Sequence, residues 1–203
     1  APFAIGAAAL VAVALVFTVN VPGYNANRDL LLGLSAQDPT GPMKNLEYFK
    51  SAAAKSPIAI QEAREHLAQV STAVAGSAAN PEVKQAFYDE AIKGMTQLTA
   101  MSPLDARFPL FLGIVHDAFG KHDLAEVALK KATELSPGKQ MILFQYASNQ
   151  LQRNDIPGMV ATLKQAFDVA PNYRDARVYY AASLVIAGQD ALAEETLQPV
   201  LTR

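Results

Sequence analysis

Small residues, leucines and prolines return at intervals of 34 residues over the second half of the chain. Within each interval the apolar pattern predicts two amphipathic helices. A glycine or asparagine lies at the expected turn between them, at Gly120, Asn154 and Gly188. Four positions of the repeat hold a small residue or a proline in more than one copy. The residues at these positions are Gly113, Ala147 and Ala181; Ala125 and Ala193; Ala132 and Ala166; and Pro137 and Pro171.

This spacing resembles the tetratricopeptide repeat (TPR), a helix–turn–helix unit with small residues where its helices touch and a proline at its end. Proline has no N–H and disfavours helix at the preceding residue, so Pro137 and Pro171 each close one unit. The resemblance implies an all-α fold, an α-solenoid of roughly five TPR units of which the first two are degenerate.

The predicted organisation has three sections: an apolar helix at 1–21, degenerate TPR-like units at 22–104 and three regular units at 105–203. In the second section, Gly33 stands where Gly113 stands in the first regular unit. Pro57 and Pro103 are 46 residues apart instead of 34, so about 12 extra residues are expected near 75–86. Asn80 is expected to cap the helix that follows.

The first 19 residues carry no charged side chain, and as a helix they would span about 28 Å, close to the thickness of a bilayer core. A membrane contact through 1–19 is therefore possible. A break is predicted at 20–25, because Pro22 and Gly23 are typical of a turn. The absence of an initiator methionine leads us to expect a processed chain or a piece of a longer one.

The apolar helix has a row of small residues at Ala4, Ala8 and Ala12, which would let another helix approach closely. Alanine is only slightly apolar and gains little from contact with lipid. We therefore favour packing of this helix against protein over exposure of its alanines to lipid. The residues assigned to this assembly helix are Phe3, Ala4, Ala8, Leu10, Ala12 and Phe17.

Composition excludes several kinds of function. The chain has 203 residues, a net charge of −2 and no cysteine, so nothing indicates nucleic acid as a partner and no thiolate metal site can form. A metal site from His116, Asp117, His122 and Asp123 is conceivable, but a packed histidine and a solvated turn histidine are the simpler interpretation. The sequence contains no cofactor-binding motif and no set of residues typical of a catalytic site. We therefore predict a non-enzymatic protein.

In TPR proteins the first helix of each unit lines a concave surface, and the resemblance carries this surface over to the present chain. It is mostly apolar here, which suits an apolar or amphipathic helix as ligand. A further helix of the same chain could equally cover it. The predicted groove residues are Leu110, Ile114, Phe144, Leu151, Val178, Ala182 and Val185.

Several short segments give the chain a wider resemblance, to the last membrane helix and TPR tail of bacterial O-antigen ligase-family proteins. They are Asn20–Pro22, Ala26–Arg28, Asn45–Lys50, Gln61–Glu65, Asp105–Arg107, and Pro171–Tyr173 with Asp175–Arg177. The glycan-transferring site of that family lies in an upstream membrane region. The resemblance therefore implies no catalytic residue in this chain.

Two functional hypotheses follow. The first is a processed subunit of an extracellular, pilus-like helical filament, in which the apolar helix contacts other copies. An apolar final segment without a polar capping helix would favour such contacts. The alternative is a membrane-anchored, extracytoplasmic tail that binds partner protein helices for polysaccharide assembly. Either way the chain is expected at the cell surface or outside the cell.

Overall fold

The computed structural model describes the backbone of residues 2–35 and 41–201, and the side chains of 3–35 and 41–198. These ranges are helical and contain no strand. The predicted all-α fold is confirmed. In chain order the helices are α1 (Pro2–Leu15), α2 (Val21–Leu34), α3 (Pro42–Lys55), α4 (Ile60–Gly76), α5 (Pro81–Met101), α6 (Arg107–Ala118), α7 (His122–Leu135), α8 (Gln140–Gln152), α9 (Ile156–Val169), α10 (Arg174–Ile186) and α11 (Asp190–Leu201), with a π-helical turn at Val16–Asn20 between α1 and α2.

Contacts within the chain divide it into two compact units, Ala1–Met95 and Thr96–Arg203. The predicted boundary at 104/105 lies nine residues later, and the assignment of three sections stays a prediction. The side chains of 199–203, on which the uncapped end depends, are outside the described residues.

In the second unit three helix pairs follow one another, α6–α7, α8–α9 and α10–α11, and each helix also packs against the next one. The turns inside the pairs place Gly120, Asn154 and Gly188 at φ angles of 70°, 58° and 71°. This left-handed conformation costs glycine nothing and asparagine little, which explains why these residue types keep the 34-residue register.

In the pair α6–α7 a small residue faces a large one, and in α8–α9 Ala147 lies in one buried cluster with Leu163. A Cβ built on Gly113 would lie 2.4 Å from Cγ of Leu129, which is fully buried. The predicted packing alanines are all buried, at 3 % exposure or less, whereas Pro137 and Pro171 lie exposed in turns. The buried alanines are Ala125, Ala132, Ala147, Ala166, Ala181 and Ala193.

The first helix that lies wholly within this unit, α6, is anchored by Asp105. Its Oδ1 accepts a hydrogen bond from the backbone N–H of Arg107 at 3.0 Å, and its Oδ2 lies 2.7 Å from Nη2 of the same arginine. These bonds from Arg107 hold the pKa of the Asp105 carboxyl below its ordinary value, against the opposing effect of burial.

Asp105→Ala is expected to lower the free energy of unfolding by about 1 kcal/mol at neutral pH, the usual net effect of losing a hydrogen bond. Because the folded pKa is depressed, this stabilisation is complete above the unfolded pKa of about 4 and is lost as pH falls through the folded value. Urea unfolding of both proteins between pH 7 and pH 2 measures the difference. Glu195→Ala, which removes an exposed carboxylate, is the control; an Asp105 effect that does not shrink in acid would contradict this assignment.

In the first unit, α2 and α3 repeat the contact of small against large. A Cβ on Gly33 would lie 3.2 Å from Cε1 of Phe49, which is buried. Beside this contact, buried Asp29 accepts a hydrogen bond from Ser51 Oγ at 2.5 Å and pairs with Lys55. The degenerate copy therefore retains the packing of a regular unit.

The pair α4–α5 accounts for the extra length that the proline spacing predicts. These helices have 17 and 21 residues, so the added residues extend helices on both sides of the short connection at 77–80. The helix start is as predicted, because Oδ1 of Asn80 accepts a hydrogen bond from the N–H of Val83 at 2.9 Å.

The predicted break at 20–25 is wrong, because the helical backbone continues from α1 into α2 through Pro22. A proline inside an α-helix lacks one donor and collides with the carbonyl four residues earlier. The π-helical turn just before Pro22 widens the helix at that point; here the N–H of Val21 bonds to the carbonyl of Val16. Thr18 Oγ1 supplies a further bond to the carbonyl of Ala14 at 2.7 Å.

Candidate functional site

Two apolar surfaces stand out on the described residues, and the first is a groove between α8 and α10. It encloses about 400 Å³, with Met159 and Leu163 of α9 as its floor. The residues that line it are Phe144, Gln145, Ala147, Ser148, Leu151, Met159, Leu163, Tyr179, Ala182, Ser183 and Ile186. None of these residues is charged, so the groove is suited to an uncharged ligand surface.

Aromatic contacts fix one end of the groove. The rings of Phe144 and Tyr179 meet edge to face at 4.8 Å, and Phe144 also stacks on Tyr173 at 6.4 Å. Such pairs hold both rings in defined positions. Leu151 and Ile186 form the other end and are about half exposed. The large side chains therefore sit at the two ends, with Ser148 and Ala182 between them.

The structure brings together only part of the predicted groove. Phe144, Leu151 and Ala182 line it. Leu110 is buried in the core with Leu129 and does not line the groove between α8 and α10. Ile114 is partly buried against the same core cluster. The same cluster contains Ala125 and Leu129 of α7 and Ile142 of α8, so residues of both neighbouring helices cover this side of α6.

Val178 and Val185 are exposed but do not line the groove. They follow Phe144 and Leu151, which do line the groove, by 34 residues. The two walls of a groove are opposite sides of neighbouring helices, so the same repeat position does not serve on both. On α10 the large lining residues are Tyr179 and Ile186, each one position after one of these valines, and the signal in the sequence is their apolar character.

The second apolar surface is α1 with its π-helical turn. Phe3, Leu10 and Phe17 are 92 %, 73 % and 67 % exposed. Ala4, Ala8 and Ala12 are exposed as well. At 100° per residue the alanine row and the row of Phe3 and Leu10 lie on nearly opposite sides of the helix, so α1 has two distinct faces.

The same helix is long and apolar enough to cross a membrane. The continuous helical stretch Phe3–Leu34 contains an 18-residue window with a mean hydropathy of 2.3, and none of that window is buried. By its length and composition, this helix suits either protein or lipid as a neighbour.

The histidines belong to structural contacts. His122 Nδ1 and Asp117 Oδ1 are 3.0 Å apart, and the Asn149 amide donates to that same oxygen at 2.7 Å. Burial lowers the pKa of His116, with Lys121 acting in the same direction and Asp117 in the opposite one. In the part of the chain that the structure describes, no group of three metal-ligand side chains comes together.

The sequence matches no protein-family model and no curated protein with which it was compared. Solved structures do match. The crystal structure of TTC0263, a thermophilic TPR protein in Thermus thermophilus, is 26 % identical, with a TM-score of 0.62 over 79 % of this chain and 78 % of that one. A crystal structure of MamA protein has a TM-score of 0.63 at 12 % identity, covering 91 % of both chains. MamA 41-end from Desulfovibrio magneticus RS-1 has a TM-score of 0.57 at 15 % identity, covering 88 % of this chain and 94 % of that one.

The likeness to MamA, at low sequence identity, concerns the fold alone, whereas TTC0263 is itself a TPR protein. Together with the repeated contacts of small against large residues, these comparisons define the architecture. The chain is an all-α protein built from TPR-type helix–turn–helix units, preceded by a long apolar helix.

Proposed function

We propose that this protein is a non-enzymatic structural subunit that assembles with copies of itself into an extracellular, pilus-like helical filament. The observation that carries the proposal is helix α1, whose apolar side chains are exposed from Phe3 to Leu15. Apolar surface left in water costs about 25 cal/mol per Å², so a helix of this kind requires a covering surface.

The composition of α1 favours protein as that surface. Its row of alanines gives close approach to a second helix, and tight packing of this kind drives helix association where side chains are small. A head-to-tail contact between identical subunits, repeated without closing, generates a helical filament.

Ala8→Leu tests whether α1 is packed closely against protein. Added side-chain volume in a tight helix contact costs about 1–3 kcal/mol, which corresponds to an increase of about fivefold to 150-fold in the concentration needed for assembly. Sedimentation of the purified chain at graded concentrations measures that threshold. Ala73→Leu, the same change at an exposed position of α4, is the matched control and should leave the threshold unchanged.

A second candidate function is a membrane-anchored, extracytoplasmic tail that binds partner proteins, as in the O-antigen ligase-like family that short segments of the chain resemble. The hydropathy and length of Phe3–Leu34 favour it. Under this alternative Ala8→Leu leaves the chain's flotation with lipid vesicles unchanged, and the purified chain without lipid forms no ordered polymer.

A further inference from the structure

The groove between α8 and α10 is a notch between two pairs of larger side chains. On each wall a small residue lies between two large ones, and the large ones are seven residues apart. The series are Phe144, Ser148 and Leu151 on α8, and Tyr179, Ala182 and Ile186 on α10. Seven helical residues span about 10.5 Å, so the notch can accept one large apolar side chain between its ends.

One face of α1 has the complementary order. Leu10 is a large exposed side chain, and Ala7 and Ala14 lie three and four residues away on the same side of the helix. The two alanines are also seven residues apart, about 10.5 Å along the axis. A helix laid in the groove with Leu10 in the notch would place these alanines against the larger residues at its two ends.

Neither of the two surfaces carries a charged side chain. No lining residue of the groove is charged, and the chain carries no charge before Arg28. Docking therefore strips water from no ionised group on either surface, which avoids a cost of several kcal/mol per ion. In this structure the side chains of α1 are exposed from Phe3 to Leu15, which leaves its apolar face for another molecule to cover.

We infer that the groove between α8 and α10 binds helix α1 of a second copy of this chain, with Leu10 seated between Ser148 and Ala182. This inference rests on the proposed self-assembly and names the surfaces that would make it. The row of Ala4, Ala8 and Ala12 faces away from the groove in this arrangement and stays available to a further helix.

Disulfide trapping tests the contact directly, because the chain contains no cysteine. Full-length Leu10→Cys and Ser148→Cys proteins are mixed and oxidised mildly. The expected product is a mixed dimer joined through positions 10 and 148, identified by mass spectrometry. Mixing Leu10→Cys with Val127→Cys, at a 70 % exposed residue of α7, is the control and should give no such dimer.

A second variant fills the notch. Ala182→Leu in the Ser148→Cys protein is expected to lower the yield of the mixed dimer about tenfold, the effect of a clash worth about 1.4 kcal/mol. Its thermal unfolding should be unchanged, because Ala182 is exposed. Gln152→Leu, on the same helix as Ser148 and outside the lining, should leave the yield unchanged.

Electron microscopy of the same samples shows whether filaments form. Comparing filament formation with the yield of the mixed dimer tests the groove contact separately from the proposed filament. Filaments without the mixed dimer overturn the groove contact and leave the filament standing. Mixed dimers without filaments support the contact and contradict the filament. Disulfides formed only between two Leu10→Cys chains would place α1 against α1 at this face and overturn the inference.

Discussion

Phe49→Ala is expected to lower the free energy of unfolding by about 3–5 kcal/mol, the range for removing a buried aromatic ring. Phe49 is 1 % exposed, and its ring lies against Gly33 of the preceding helix. Because glycine has no side chain to move into the space, the cavity cannot collapse easily. Equilibrium unfolding in urea, followed by circular dichroism, measures the loss.

Phe3→Ala is the matched control, since this phenylalanine is 92 % exposed on α1. Its effect on the unfolding of dilute chain should be within about 0.5 kcal/mol. An equally small effect for Phe49→Ala would mean that α2 and α3 do not form a repeat-like pair, contrary to the fold described above.

Gly113→Ala is expected to destabilise the protein by about 1–3 kcal/mol, although alanine is ordinarily the better helix former. The added Cβ would lie 2.4 Å from Cγ of Leu129, and that leucine is fully buried and cannot withdraw. Thermal and urea unfolding both report this change.

Two further variants make the cause explicit. Gly76→Ala adds a Cβ that meets nothing within 4 Å, so it should be neutral or stabilising by up to about 1 kcal/mol. In the double variant Gly113→Ala, Leu129→Ala, the second change removes the clash. The double variant should therefore lose less stability than the sum of the losses in the two single variants. Simple additivity would show that Gly113 and Leu129 are not in tight contact.

The sequence predicts the repeat well because the repeat is a matter of local spacing. Small residues, turn glycines and prolines recur at fixed intervals, and each has a direct physical role in a two-helix unit. The same logic extends to the degenerate copy, where Gly33 and Phe49 reproduce the contact of Gly113 and Leu129.

The groove is harder to predict from the sequence because it depends on which side of each helix faces outward. Leu110 follows the apolar pattern of a groove residue but packs in the core, and Val178 stands one residue away from the lining residue Tyr179. A step of one residue rotates a side chain by about 100°, which repeat spacing alone does not resolve.

The helix break was misjudged for a related reason. Pro22 is a strong turn residue by itself, but a π-helical turn over the preceding residues lets the helix continue. The π-helical turn adds a residue to one turn of the helix, and the pattern of apolar residues along the sequence does not reveal where such a turn occurs.

The most direct test of the central claim is an electron cryomicroscopy map of the purified full-length chain in detergent-free buffer. The account predicts helical filaments in which α1 of every subunit is covered by other subunits, with the TPR-type units packed around it. Monodisperse single chains in which α1 touches no other polypeptide would contradict it.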